Sequence, residues 1–175
     1  MSILNCLTHN LVPSFINSVI KGDPVDPDYK HEHIPELNLM KIEFDRNRNL
    51  SLEGILFIRG VEFCEDNKPK YSLVLSKIDT GEEVYEFLLS SKSRPKTSKE
   101  YYQGNFVNYD YSVFYTENLN LTEVYGVYRL GIKVQICSIK EVVFPEIDSP
   151  LEFDNKDGIL FVNKSGHIAF YNTSE

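Results

Sequence analysis

Leu119–Ile136 is the stretch that most constrains how this chain can fold. A leucine-anchored turn at Leu121 leads into Gly126-Val127-Tyr128. The residues that follow then alternate apolar and polar through Leu130, Ile132, Val134 and Ile136. A period of two marks a strand with one buried face. A Tyr that opens such a strand just after a turn has the pattern of a tyrosine corner, whose hydroxyl bonds back to the turn backbone in a Greek-key β-sandwich. The pattern predicts a buried Tyr128, a Tyr125 nearer the turn surface, and structural roles for Leu121 and Gly126. These residues point to a fold class without naming a chemistry.

Period-two patterning recurs from Leu37 onward. Leu39, Ile42 and Phe44 mark one strand, and Leu50, Leu52 and the run Gly54–Gly60 mark a second, with Gly54 a bulge or bend. Tyr71, Leu73 and Leu75 form a third. Asp79-Thr80-Gly81-Glu82 is a tight turn that joins it to Val84–Leu89 as a hairpin. A polar loop is expected over 90–107, then a strand in which Tyr109, Tyr111, Val113 and Tyr115 alternate. Beyond the Tyr128 strand lie Glu141–Phe144 and a hairpin over 158–171 that turns at Asn163–Gly166. Roughly eight or nine short strands separated by turns predict a mainly-β fold, an antiparallel immunoglobulin-like sandwich. The 11 Tyr and 11 Phe agree, since both residue types favour strands.

The N-terminal end reads differently. Over 10–21, Leu11, Phe15 and Val19 with Ile16 and Ile20 recur at helical spacing, Pro13 suits a first turn and Gly22 a stop. Asp23–Glu36 carries Pro24, Pro27 and Pro35 without periodicity and reads as an extended linker. The expected organisation is a helix and linker over 1–36, a sandwich over 37–145, and a C-terminal hairpin over 146–175 packed on it.

A net charge of −8, from 18 Lys and Arg against 26 Asp and Glu, argues against nucleic acid as a partner. The one basic stretch, Lys92–Lys99, reads as a solvated loop, with an anion contact as the alternative. Cys6, Cys64 and Cys137 are too few and too far apart for a disulfide scaffold, so free thiols are expected. The first residues lack a basic segment and a long apolar core, and no apolar run reaches membrane-spanning length. A cytoplasmic protein without a membrane span is therefore expected, with the sequons at Asn49, Asn120, Asn163 and Asn172 accidental.

Motifs that carry chemistry are weak. Asp23, Asp26, Asp28, His31, Glu32, His33 and Glu36 could ligate a metal, but prolines on both sides and irregular spacing favour a solvated linker. Asp45-Arg46-Asn47-Arg48-Asn49 hints at a calcium loop. It is rejected because Leu50 and Leu56 stand where Gly and Glu are required. His9, His31, His33 and His167 lie near no nucleophile turn, and His167 reads as a surface residue of a hairpin. Phosphate-binding glycine loops do not occur. Neither a catalytic residue, a metal nor a cofactor is expected. The remaining candidate is Arg94 with Tyr109, Asp110 and Tyr111, which could pin the long loop, face a sugar or phosphate, or face a protein partner.

A family likeness is carried by Gly54–Gly60, Tyr71–Ser76, Asp79-Thr80-Gly81, Tyr85-Glu86-Phe87, Ser93-Arg94-Pro95, Tyr109–Phe114 and Gly126–Ile132. Over about residues 38–140 these resemble a bacterial immunoglobulin-like accessory domain found with glycosyltransferases and glycerophosphotransferases of teichoic-acid and capsule synthesis. Val113 departs from that pattern, which often has Gly before the Phe. The resemblance implies a noncatalytic module of cell-surface polysaccharide assembly that acts by protein–protein association, including self-association. The surfaces expected to pair are the exposed aromatics of 84–89 and 109–115. The alternative is a carbohydrate-binding module that recognises a cell-wall or capsular polymer through exposed tyrosines.

Overall fold

Ten antiparallel strands run through the described part of the chain, which the computed structural model gives as residues 34–102, 107–146, 152–155, 158–162 and 166–172. They are β1 (Pro35–Phe44), β2 (Asn49–Ile58), β3 (Lys70–Lys77), β4 (Glu83–Lys92) and β5 (Val113–Asn120). Then follow β6 (Gly126–Ile136), β7 (Ile139–Val143), β8 (Glu152–Asn155), β9 (Gly158–Val162) and β10 (Ile168–Asn172). A short helix, α1 (Thr97–Glu100), lies between β4 and β5. The helix expected over 10–21 and most of the linker over 23–36 fall outside the described residues.

The strand order is β1-β2-β5-β4-β3-β6-β10-β9-β8, with β7 also on β6. One strand belongs to both halves of this path. Glu83–Leu89 pair with β3, whereas Ser90–Lys92 pair with β5. β4 thus folds the sheet into two facing layers, a half-barrel with β1-β2-β5 on one side and β3-β6-β7-β10 on the other. The layers meet through a mainly apolar core. Phe44 of β1 packs edge-on against Phe170 of β10 at 5.7 Å, and Tyr71 of β3 lies 5.6 Å from Phe114 of β5. The Tyr71 hydroxyl donates to the Leu56 carbonyl at 2.6 Å, so a hydrogen bond also joins the layers.

Tyr128 opens β6 as its sequence context predicts. Its side chain is buried, and its hydroxyl donates to the Tyr125 carbonyl at 2.8 Å. Tyr125 itself is 48% exposed on the turn. Leu121 plugs the core beneath, with its N–H on the Arg48 carbonyl. Gly126 has φ +125°, and a Cβ there would come within 3.0 Å of the Tyr128 hydroxyl oxygen. Only glycine supplies both the backbone conformation and the room for the ring.

Three expectations are corrected. Gly54 is not the bulged residue. The irregularity lies opposite, between Leu39 and Lys41, and Gly54 instead makes room for the Phe114 ring, 2.5 Å from where its Cβ would stand. Residues 109–112 are a turn and not strand. The Asn108 side-chain oxygen accepts the Asp110 N–H and the Tyr109 carbonyl accepts the Ser112 N–H, so local bonds outcompete the ladder that the tyrosine alternation suggested. Cys64 is a free thiol, but Cys137 is disulfide-bonded and departs from the expected set of free cysteines.

Replacing Tyr128 by Phe removes one hydrogen bond and is expected to cost about 1 kcal/mol in urea unfolding. Gly126→Ala should cost more, about 2 kcal/mol, because it adds backbone strain and a clash with the ring.

Candidate functional site

The expected candidate residues gather where the chain leaves β4. Pro95 follows Arg94 and turns the backbone into α1, while the Arg94 N–H donates to the Asp110 carbonyl at 2.7 Å. The Arg94 guanidinium forks onto Glu100, with Nη1–Oε2 at 2.5 Å and Nη2–Oε1 at 3.1 Å. A planar fork matched to a carboxylate holds its geometry well. This pairing turns the Arg94 charge toward the protein. The Asp110 carboxylate accepts the Ser98 hydroxyl at 2.5 Å, and the Ser98 oxygen accepts the Tyr109 N–H at 2.8 Å.

Tyr109 and Tyr111 serve this loop from within. The Tyr109 ring is buried 4.3 Å from Phe57, and its oxygen accepts the Gly60 N–H at 3.0 Å. Burial raises its pKa, with the Gly60 bond opposing. Tyr111 is half-buried, with the Lys68 ammonium 4.9 Å above its ring, and its N–H donates to the Phe63 carbonyl. Together with Tyr101, Tyr109 covers Phe57 on the outward side of β2. The loop thus brings the four sequence candidates into one cluster, but only Asp110 lines open space.

That space is a shallow cavity of about 720 Å³, lined by Glu62, Pro95, Ser98, Tyr102, Asn108 and Asp110 among others. Its lining residues bring two carboxylates, the lysine Lys99, an amide and an aromatic rim, since Tyr102 is 53% exposed. Such a lining can accept hydrogen bonds from hydroxyl groups and stack against one ring face. Sequence patterning pointed to Asp110 and missed Glu62, Ser98, Asn108 and Tyr102. The available signal was Asn108 two residues before Asp110, the spacing of a side-chain-capped turn.

The hinge strand β4 carries a second group. Lys133 of β6 has a side chain only 4% exposed, and its ammonium is held by Glu83 and by Glu86, the latter at 2.9 Å. Burial pulls its pKa down, but hydrogen bonds and charge from the two glutamates outweigh this and leave it raised. The Lys133 hydrogen bond is the main cause that lowers the Glu86 pKa. A third group lies on the outward side of β6. The Arg129 guanidinium stacks 3.7 Å from the Phe144 ring centre and lies 2.7 Å from His167 Nε2. Gly131 leaves the room that Phe144 occupies, since a Cβ there would lie 2.9 Å from its ring. His167 is thus a partner of Arg129, with a side chain only 16% exposed, where a surface position was expected.

Among the described residues there is no cluster of His, Cys, Asp or Glu that could hold a metal, and no helix is long and apolar enough to cross a membrane. The Asp45 carboxylate accepts the N–H groups of Asn47 and Asn49 at 2.8 and 2.9 Å and closes the β1–β2 turn. Those bonds, led by Asn49, lower its pKa. No family model matches the chain, and no curated protein matches it.

Lys133→Met keeps the apolar stem and removes the charge, and should cost about 1 kcal/mol, since both glutamate partners are half-exposed. Glu86 has a folded pKa below its ordinary 4.5, so its contribution is present above that value and lost as pH falls through the lowered one. Urea unfolding from pH 7 to 3 should therefore show the wild type losing its advantage over Lys133→Met at the acid end.

Proposed function

We propose that this chain is a noncatalytic immunoglobulin-like β-sandwich module that works by protein–protein association in bacterial cell-surface polysaccharide assembly. Two features support the fold part of this reading. The orders β1-β2-β5-β4 and β3-β6-β7 repeat the ABED and CFG orders of an immunoglobulin domain, and Tyr128 stands at the start of the strand in the F position. The biosynthetic setting rests on the resemblance over residues 38–140.

The observation that carries association is the outward side of β4. Leu88 is 81% exposed and Val84 40% exposed on a strand whose first half, among the described residues, pairs on one side only. Exposed apolar groups on an open strand edge are what a partner covers. The test is capture on the immobilised chain of a glycosyltransferase or glycerophosphotransferase of teichoic-acid or capsule synthesis. Retention that falls in Leu88→Glu is expected, and retention of no such enzyme would overturn the reading.

A second reading, recognition of a polymer, is favoured by the cavity beside Tyr102 and Asp110. It requires saturable calorimetric titration with a teichoic-type polymer, weakened about tenfold or more by Asp110→Ala. Heat of dilution alone would exclude it.

A further inference from the structure

The open stretch of β4 is narrowly bounded. Its pairing with β3 slips between Leu75 and Ser76, which face Tyr85 and Glu83, so Val84 is the extra, bulged residue. At the other end Ser90 turns to pair with Tyr115 of β5. Between these limits Tyr85–Leu89 is regular strand, paired with β3 on one side and with no strand on the other among the described residues. Five residues of sheet edge are thus presented, and their centre is Phe87.

Among the described residues the bulge at Val84 guards one end of this edge, but no lysine or proline stands within it. Natural edges are blunted by outward lysines, prolines or covering segments. The charged residue within this one is Glu86, and it is drawn onto Lys133 of the same sheet. Tyr85, Phe87 and Leu89 stay half-buried at the margin of the core, with the Tyr85 and Phe87 rings stacked at 6.3 Å and 11°. On the outward side Leu88 stands in solvent.

Pairing such an edge antiparallel with its own copy places residues of one parity opposite each other, so only alternate registers keep inward groups facing inward. Centring on Glu86 sets two carboxylates face to face. Centring on Leu88 needs Ser90, whose ladder is taken by β5. Centring on Phe87 uses the whole regular edge, setting Phe87 against Phe87, Tyr85 against Leu89 and Glu86 against Leu88, with no like charges opposed. The strand is self-complementary in that one register.

Resting on the association reading, we propose that Tyr85–Leu89 pairs antiparallel with the same edge of a second copy of this chain, about a two-fold axis at Phe87. The pairing continues the β3-bearing sheet across both copies. An interface of five residue pairs falls below the range for stable specific complexes, so a weak, transient dimer, micromolar or weaker, is expected.

Sedimentation velocity of the wild type, from micromolar to about millimolar protein, should show the mean mass rising toward a dimer. Leu88→Glu sets the introduced carboxylate opposite Glu86 of the other copy, twice by symmetry, and should weaken dimerisation about tenfold. Leu88→Lys sets an ammonium opposite the same carboxylates. It should dimerise at least as well as wild type, with a salt dependence the wild type lacks. Leu88 is the most exposed large apolar side chain among the described residues, so both variants should keep the wild-type circular dichroism spectrum. A monomer at every concentration overturns self-pairing, while capture of a polymer-assembly enzyme by that monomer leaves the broader association reading standing. Equal loss in both variants overturns the register.

Discussion

Everything in this molecule hangs on β4 being shared between two layers. A sheet that stayed in one plane would expose one face of β2, β3 and β6, whose apolar residues fill the core. By giving Glu83–Leu89 to β3 and Ser90–Lys92 to β5, the strand folds the path back on itself and lets Tyr71 meet Phe114 and Leu56. The same change of partner leaves an edge open, because among the described residues Tyr85–Leu89 pair with β3 alone and β5 joins the other side of β4 only from Ser90 onward. Closure and exposure have one cause.

The polar groups follow that geometry. Lys133 sits on the outward face of β6, and the strand pairings place Glu83 and Glu86 two strands away, within reach of its ammonium. Arg94 and Asp110 likewise spend their hydrogen bonds on holding the loop after β4 over Phe57, with Glu100 and Ser98 as partners. Charges engaged in this way stabilise modestly, since most partners are half-exposed, but they orient the elements that border the cavity and the open edge.

Strands with an alternating sequence were legible because alternation is a local property: β3, β4 and β6 fall where period two placed them, although β3 is buried on both faces. The Tyr128 corner was legible for the same reason, since Gly126, Tyr125 and Tyr128 lie within four residues. Tyr109 and Tyr111 misled because alternation also arises in a turn whose side chains fold inward, and the capping by Asn108 outweighs it. The cavity was mostly hidden. Glu62 and Tyr102 are 40 positions apart in sequence, and only the route of the loop after β4 brings them to one surface.

The chain's own pattern was enough to specify antiparallel strands, the corner at Tyr128 and the hairpin at Gly81, because each depends on residues close together along the backbone. Which strand would turn between layers, which edge would stay open and which carboxylates would reach Lys133 were decided only by tertiary structure. Those outcomes depend on pairing between distant segments, and period-two patterning states which face of a strand is buried but not which strand lies beside it.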